Sequence, residues 1–581
     1  MIILGLNINH PDASACLLIN GKIEIAIEEE RINRIKHWSG LPILSIKECL
    51  NKKNLSLKDV DYVAINSNFY SNIYSKLKFI ILNRVGYNFI LEKLKNIKKK
   101  KNLLKSIELE FNDSFNQKCK LRFIDHHLSH VSSAYFDSTY DKSINVSVDG
   151  YGDFASLSWG ISDKEKIVIK NKILFPHSLG TFYEAFTQFL GFHNWGDEYK
   201  VMGLSSYGNL QYVKEVEKII YLKNKTNFKI NLDYFNHHKK NIIYSWTNSA
   251  PKNEILFNKN ITNLFFQARK SHEPIEDKHH NLAASVQHVY EKILFSILNE
   301  IHTIYKIDNL TLSGGCAQNS LANGKILKNT KFKSLFIPAN PGDGGGSVGA
   351  AYSLWNKIYK QRPKRNDNAY LGSAFSNDYI GKLLEKENKY LLKNNYEITY
   401  IPNEKDLCSY VAKEISSKKV VGWFQDNMEW GPRALGNRSI LSDPRNPNIR
   451  EDLNIKIKKR ENFRPFAPSI LLEEAQNWFE DFHEEEPFMS RVLSFKKEKI
   501  KLVPAVVHID GTGRLQTVTS KSNARFYNLI KSFFTQTGIP MVLNTSFNEN
   551  EPIVFKPEHA LNCFLRTKMD LLVLQNYIIK R

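Results

Sequence analysis

Cysteine is scarce in this chain of 581 residues. Cys16, Cys49, Cys119, Cys316, Cys408 and Cys563 stand alone, with no Cys-x-x-Cys pair among them. That usage argues against a disulfide framework and a zinc ribbon and suits a reducing compartment. Long apolar runs are missing too, so no stretch of sequence reaches the length needed to span a bilayer. The first residues, Met1-Ile2-Ile3-Leu4-Gly5, begin a strand pattern with no basic leader or apolar signal core. The expected location is the cytoplasm. Acidic residues are in deficit: 60 Asp and Glu against 81 Lys and Arg leave a net charge of +21. Such a charge suits an anionic partner, whether nucleotide, phosphate, nucleic acid or membrane surface, and does not choose among them. A general bias toward Lys, Asn and Ile is the competing explanation.

What is present is enough for at least two cores, because a chain this long does not bury itself around one. The densest chemistry begins at Asp125-His126-His127-Leu128-Ser129-His130. If residues 127–136 are helical, His126 and His130 stack on one face and converge on one ion. Ser143–Val148 alternates as a strand and delivers Asp149, followed by Gly150 and Gly152, whose amides could face phosphate oxygens. Two imidazoles and a carboxylate form an open site suited to Fe, Mn or Zn; a solvated or core-satisfied histidine pair is the plain alternative.

Ahead of that stretch, residues 2–8, 14–19 and 22–28 read as three strands in two hairpins. The first tip carries His10 and Asp12, candidates for base and hydrogen-bonding work on a substrate hydroxyl; Pro11 and Asp12 making the turn is the alternative. Glu28-Glu29-Glu30-Arg31 leads to Arg34, Lys36 and His37, where a solvated face competes with a role for Lys36 against phosphate. Residues 67–105 read as helical and basic, with Lys98–Lys101 a run of four lysines. Strands over 154–161 and 167–175 and a helix over 179–192 follow. Gly196 to Leu204 reads as a binding loop, and residues 222–275 as an insertion able to recognise an acceptor.

A helix over 275–304 leads to the strand Leu310–Leu312 and then Ser313-Gly314-Gly315-Cys316-Ala317-Gln318-Asn319. Glycines at a strand end that open a helix let a nucleotide approach the backbone. Pro341-Gly342-Asp343 opens another helix and offers Asp343 as a fourth metal ligand. The repeated order of strands and helices predicts an α/β fold with an actin-like (ASKHA) N-terminal domain of two subdomains over residues 1–365. A second α/β domain fills 366–581. There Arg433, Lys458, Arg464 and Arg514 are interleaved with Gly and Pro, as in Gly431-Pro432-Arg433-Ala434-Leu435-Gly436-Asn437-Arg438-Ser439. That pattern suits a preformed pocket for phosphate and carboxylate oxygens.

In combination these motifs resemble the NodU/CmcH-type O-carbamoyltransferases. They include Asp-Ala-Ser-Ala at 12–15, His-x-x-x-His at 126–130, Glu-Tyr-Lys-Val-Met-Gly-Leu at 198–204, Gly-Pro-Arg-Ala-Leu-Gly-Asn-Arg-Ser-Ile at 431–440, Arg-Pro-Phe-Ala-Pro at 464–468 and Asn-Thr-Ser-Phe-Asn at 544–548. The resemblance covers essentially the whole chain. It implies an N-terminal domain similar to the metal-dependent enzyme of tRNA threonylcarbamoyladenosine synthesis and a YrdC-like C-terminal domain. The latter would form carbamoyl adenylate from carbamoyl phosphate and ATP, with Mg2+ accompanying the nucleotide. The carbamoyl group would then pass to a hydroxyl of a sugar-containing acceptor.

By the same resemblance His126, His130, Asp149 and Asp343 would hold the metal, Fe2+ ahead of Mn2+ or Zn2+. Lys36, Gly315 and Asn319 would contact the adenylate, while Arg433, Lys458, Arg464, Arg514, Asn544 and Ser546 would grip carbamoyl phosphate and ATP. His10 would be the base, aided by Asp12, although Pro11 separates the pair where better-known members join them. A tRNA-modifying threonylcarbamoyladenosine enzyme is the alternative, which would make nucleic acid a partner. A hydrogenase-maturation carbamoyltransferase would need zinc-binding cysteine pairs that the sequence lacks. Oligomeric state and acceptor are left open.

Overall fold

The computed structural model describes residues 1–82, 98, 100–239, 250–251, 254–461 and 464–581. They form two compact units, Met1–Asn319 with Ile326–Asn366, and Ser320–Lys325 with Asp367–Arg581. Among the described residues no helix is long and apolar enough to cross a membrane.

The first unit repeats one strand plan twice. β1 (Ile2–Asn7), β2 (Ser14–Ile19) and β3 (Lys22–Glu28) are antiparallel neighbours, and β4 (Tyr62–Ile65) and β5 (Lys120–Phe123) extend the sheet in parallel, giving the order β3-β2-β1-β4-β5. The second sheet has β6 (Lys142–Gly152), β7 (Ala155–Asp163) and β8 (Lys166–Leu174) antiparallel. After a separate ribbon of β9 (Ile220–Asn224) and β10 (Asn227–Ile230) in the insertion, β11 (Asn309–Ser313) and β12 (Ser334–Phe336) add to β6 in parallel. Its order, β8-β7-β6-β11-β12, matches the first with the same strand senses. The duplication is consistent with the expected actin-like plan in a mixed α/β fold.

Three elements position the site. Helix α1 (Glu29–Asn33) continues from β3; helix α2 (His126–Asp137) follows β5; helix α3 (Gly346–Tyr359) follows the Asp343 turn. Helix α2 is capped by Asp125, whose carboxylate accepts from the Leu128 amide at 3.0 Å. It lies close against α3, where a Cβ at Gly349 would overlap the Ser129 carbonyl.

The structure departs from the sequence expectations in two places. Strand β6 runs on through Asp149 to Gly152 instead of stopping at Val148. Residues 198–205, expected as a loop, form a helix; the glycine-and-aspartate start at Gly196 and Asp197 is its lead-in. Of the basic stretch 67–105, Ile73–Leu82 and Leu103–Phe111 are helical, whereas 83–97 and Lys99 lie outside the described residues, as do 240–249 and 252–253 of the insertion.

In the second unit an eight-stranded sheet is built from β13 (Glu397–Tyr400), β14 (Val421–Phe424), β15 (Arg438–Ser442), β16 (Ala467–Leu471), β19 (Gln516–Val518), β20 (Met541–Ser546), β21 (Leu571–Leu574) and β22 (Tyr577–Lys580). Only the β14–β21 and β16–β19 pairs are parallel. A small ribbon of β17 (Val492–Ser494) and β18 (Thr512–Arg514) stands beside it. Helices Glu404–Ser416 and Ala524–Thr537 bury Leu407, Val411, Phe526, Leu529 and Phe533 in the core around Trp423.

Asp125 also pairs with Lys172 at 2.7 Å. Burial works against its charge, but Lys172 outweighs burial and holds the carboxyl at about 2. The folded value lies below the unfolded one of about 3.9, so this stabilisation is present above that pH and is lost as pH falls toward about 2. Asp125→Ala should cost about 1 kcal/mol from the cap plus the ion pair. Asp125→Asn should keep most of the cap term and lose the acid sensitivity. Denaturant melts of the two variants between pH 3 and 7, values spanning the usual carboxylate range, check both.

Candidate functional site

His126 and His130 lie one helical turn apart on α2, with their Nε2 atoms 3.0 Å from each other. Asp149 Oδ2, on β6, is 2.9 Å from the first nitrogen and 3.1 Å from the second. Asp343, which opens the turn before α3, brings Oδ1 to 3.3 Å from His130 Nε2 and 3.4 Å from His126 Nε2. The four residues are buried and their ligand atoms mutually close enough to hold one ion. Donors about 2.1 Å from a tetrahedral centre sit about 3.4 Å apart. Two neutral imidazoles and two carboxylates are also a donor set for a divalent first-row cation. The residues present therefore fit a metal.

The second layer accounts for the convergence. Asp149 Oδ1 accepts the amides of Gly150 at 2.8 Å and Gly315 at 3.1 Å, which turns Oδ2 toward the imidazoles. The Gly150 amide, expected to face phosphate, and that of Gly315, expected to contact the adenylate, thus hold the carboxylate. A Cβ at Gly152 would overlap the His126 ring. Asp153, which the sequence reading passed over, accepts the His126 amide at 2.9 Å and the Asn68 amide at 2.7 Å. Burial disfavours charge on Asp149 and His130. Yet the hydrogen bonds and charges of the facing histidines hold Asp149 far below the usual carboxylate range, and Asp149 and Asp343 raise His130.

His10 reaches the same cluster from the first hairpin tip, its Nδ1 2.6 Å from Asp343 Oδ2. Burial opposes its charge and Asp343 more than compensates, raising it. Asp12 pairs with His37, Oδ1 lying 2.8 Å from Nδ1. Lys36, the neighbour of His37, is exposed. Asn319 exchanges two hydrogen bonds with Gln287, at 3.0 and 3.1 Å.

In the second unit the Gly431–Ser439 loop is organised by a residue the sequence reading missed. Glu429, 3% exposed, accepts with Oε1 the amides of Leu435, Asn437 and Arg438 at 2.8, 2.7 and 3.0 Å. An acidic residue two positions before the Gly-Pro-Arg motif was the available signal. Arg438 is buried at the start of β15, donates to the carbonyls of Gln425, Asn437, Ser373 and Asp426, and stacks 3.6 Å from the Phe424 ring centre. It is therefore structural.

Arg514 on β18 donates through Nε to the Met489 carbonyl at 2.8 Å. Burial and the nearby Arg433 both weigh against its charge, while Glu486 offsets them in part. Guanidinium does not deprotonate in proteins, so two such groups together favour an anion between them.

Lys458 ends a π-helical turn and is buried. Its ammonium donates to the Asn548 side chain at 2.7 Å, the Asn548 carbonyl at 2.9 Å and Ser546. Asn544 is buried against Ser469 and Gln516 at 3.0 and 3.1 Å. Arg464 lies 3.6 Å from Glu461. The Lys456 side chain and residues 462–463 are outside the described residues. Lys458 thus ties the π-helical turn to the end of β20, and Asn544 ties β20 to β16 and β19, while Arg433 with Arg514 gathers positive charge.

Comparison with known proteins shows the family. Residues 2–352 match the family described as carbamoyltransferase N-terminus, and residues 412–581 the carbamoyltransferase C-terminus. The chain belongs to the carbamoyltransferase family. This carbamoyltransferase is 34% identical to nodulation protein NolNO of Sinorhizobium fredii over 98% of its own length and 79% of that protein. It is 34% identical to the uncharacterized protein sll1178 of Synechocystis over 100% and 96% of the two chains. It is also 32% identical to the 3'-hydroxymethylcephem-O-carbamoyltransferase of Amycolatopsis lactamdurans over 42% of each.

In the carbamoyltransferase, Glu429→Ala would leave three buried amides without their acceptor. The change should destabilise the second unit by about 3 kcal/mol. Calorimetry should show a lowered transition for that unit and an unchanged one for the first.

Proposed function

We propose that this carbamoyltransferase is an ATP-dependent O-carbamoyltransferase working in two stages. The second unit, taken as YrdC-like, uses carbamoyl phosphate, ATP and water. Carbamate and phosphate form first, and a carbamate oxygen then displaces pyrophosphate from the ATP α-phosphate to give carbamoyl adenylate. Arg433 and Arg514 suit the phosphate oxygens of these substrates, since paired guanidinium forks recognise them geometrically. The first unit passes the carbamoyl group from the adenylate to an acceptor hydroxyl, releasing AMP. We take the acceptor to be a sugar-containing small molecule or glycan precursor.

The observation that carries this reading is the meeting of His126, His130, Asp149 and Asp343 from three separated segments around one point. These four would hold the cation, Fe2+ first among candidates and Mn2+ or Zn2+ next, and His10 would steady Asp343 from behind. A divalent cation supplies Lewis acidity toward the phosphate oxygens of a bound adenylate. The protein's own part is to orient that anion, keep Asp149 turned inward through the Gly150 and Gly315 amides, and bury the reacting centre. Of the alternatives weighed on sequence, tRNA modification gains no support from any residue described above.

The test is direct. Purified protein given ATP should release pyrophosphate only when carbamoyl phosphate is present, and mass spectrometry across candidate sugars and nucleotide sugars should find a carbamoylated product. ATP binding without pyrophosphate release would sink the reading. Asp343→Ala should abolish bound metal, measured by elemental analysis, and should stop transfer while sparing pyrophosphate release. His10→Ala should weaken metal affinity by about tenfold or more. Arg514→Ala should slow pyrophosphate release on the order of a hundredfold.

A further inference from the structure

Asp12 and His37 form a pair that the four-ligand cluster does not use. The Asp12 carboxylate is 2.8 Å from His37 Nδ1, and Glu30 accepts the His37 backbone amide at 2.8 Å, so the ring is fixed in both position and orientation. Both residues sit at positive φ, 55° for Asp12 and 53° for His37, and those turns aim them at each other. His37 Nε2 is left facing Gly196, itself at φ 82°, where a Cβ would stand only 2.7 Å from that nitrogen. Gly196 thus packs beside that nitrogen where a larger residue would not fit, and the His37 side chain is 32% exposed.

One short path connects this ring to the four-residue cluster. Asp12 is two residues from His10, whose Nδ1 meets Asp343. His10, by contrast, is turned onto a metal ligand.

Resting on the carbamoyl-transfer reading, we infer that His37, oriented by Asp12, is the general base for the acceptor hydroxyl. The hydroxyl oxygen bonds to the carbamoyl carbon as its proton passes to His37 Nε2. The bond from that carbon to the adenylate oxygen breaks, and AMP leaves with the electron pair. Solvent then takes the proton from the imidazolium. A carboxylate on Nδ1 fixes the tautomer that presents a lone pair at Nε2 and stabilises the imidazolium formed, the division of labour found wherever an acid orients a catalytic histidine. The charged groups around the ring are Asp12 from the hairpin tip, Glu30 from α1, Lys36 from the same turn and Glu198 from the helix beyond Gly196. Burial lowers the His37 pKa, but Asp12 and Glu30 outweigh it and raise it to about 9.

The experiment uses the full chain with ATP, carbamoyl phosphate and glycerol as a surrogate acceptor, following pyrophosphate, AMP and O-carbamoyl glycerol. His37→Gln should reduce carbamoyl glycerol about a hundredfold with pyrophosphate release unchanged. Gly196→Ala, whose added methyl would stand 2.7 Å from Nε2 and crowd the ring, should also reduce carbamoyl glycerol with pyrophosphate release unchanged. Asp12→Asn should move the rising limb of the transfer pH profile to lower pH, because the charge that raises His37 is gone. Wild-type carbamoyl glycerol formation by His37→Gln, or a parallel fall in pyrophosphate release, overturns the assignment. If the wild-type protein releases no pyrophosphate at all, the two-stage function has failed. The pair is then judged by NMR titration of the His37 ring, where a value that does not drop in Asp12→Asn overturns it.

Discussion

The Asp149 carboxylate is the constraint on which the first unit's chemistry depends. Its two oxygens have separate tasks: one is saturated by the amides of Gly150 and Gly315, and the other faces the two imidazoles. Neither task is possible without the other, because a carboxylate free to rotate would share its hydrogen bonds evenly. The arrangement needs β6 and β11 side by side in parallel so that Gly315, at the end of one strand, lies over Asp149 on the other. The strand plan is thus the means by which residues 166 positions apart become fixed partners.

The second unit solves a different problem, that of concentrating positive charge without collapse or repulsion. Glu429 holds the arginine loop from beneath through three amides, and Arg438 fastens its end to four carbonyls and an aromatic face. The loop that carries Arg433 is thus held by a framework that does not depend on an anion being present. Preorganisation of this kind removes the ordering cost that a floppy basic loop would meet on binding.

Much of the first unit was legible because its signals are periodic. The four-residue spacing of His126 and His130, the alternation along β1 to β3, and glycines at strand ends each follow from one local rule. Asp343 was legible as a polar residue in a Pro-Gly turn that opens a helix. The Asp12–His37 pair was not, since it depends on left-handed turns at non-glycine residues that the sequence does not announce. The helix at 198–205 was hidden for the opposite reason: glycine and polar residues at its start imitate a loop. In the second unit many strands are three to five residues long, too short for alternation to register, and Lys458 and Asn544 look like ligand contacts until Asn548 and Ser469 are seen to be their partners.

The buried Glu429 has a consequence for how the arginine loop behaves in different media. A capped carboxylate sealed from solvent is hardly screened by dissolved salt, whereas charges turned to solvent are. Ionic strength therefore weakens whatever attraction the loop turns toward water and leaves its contours alone.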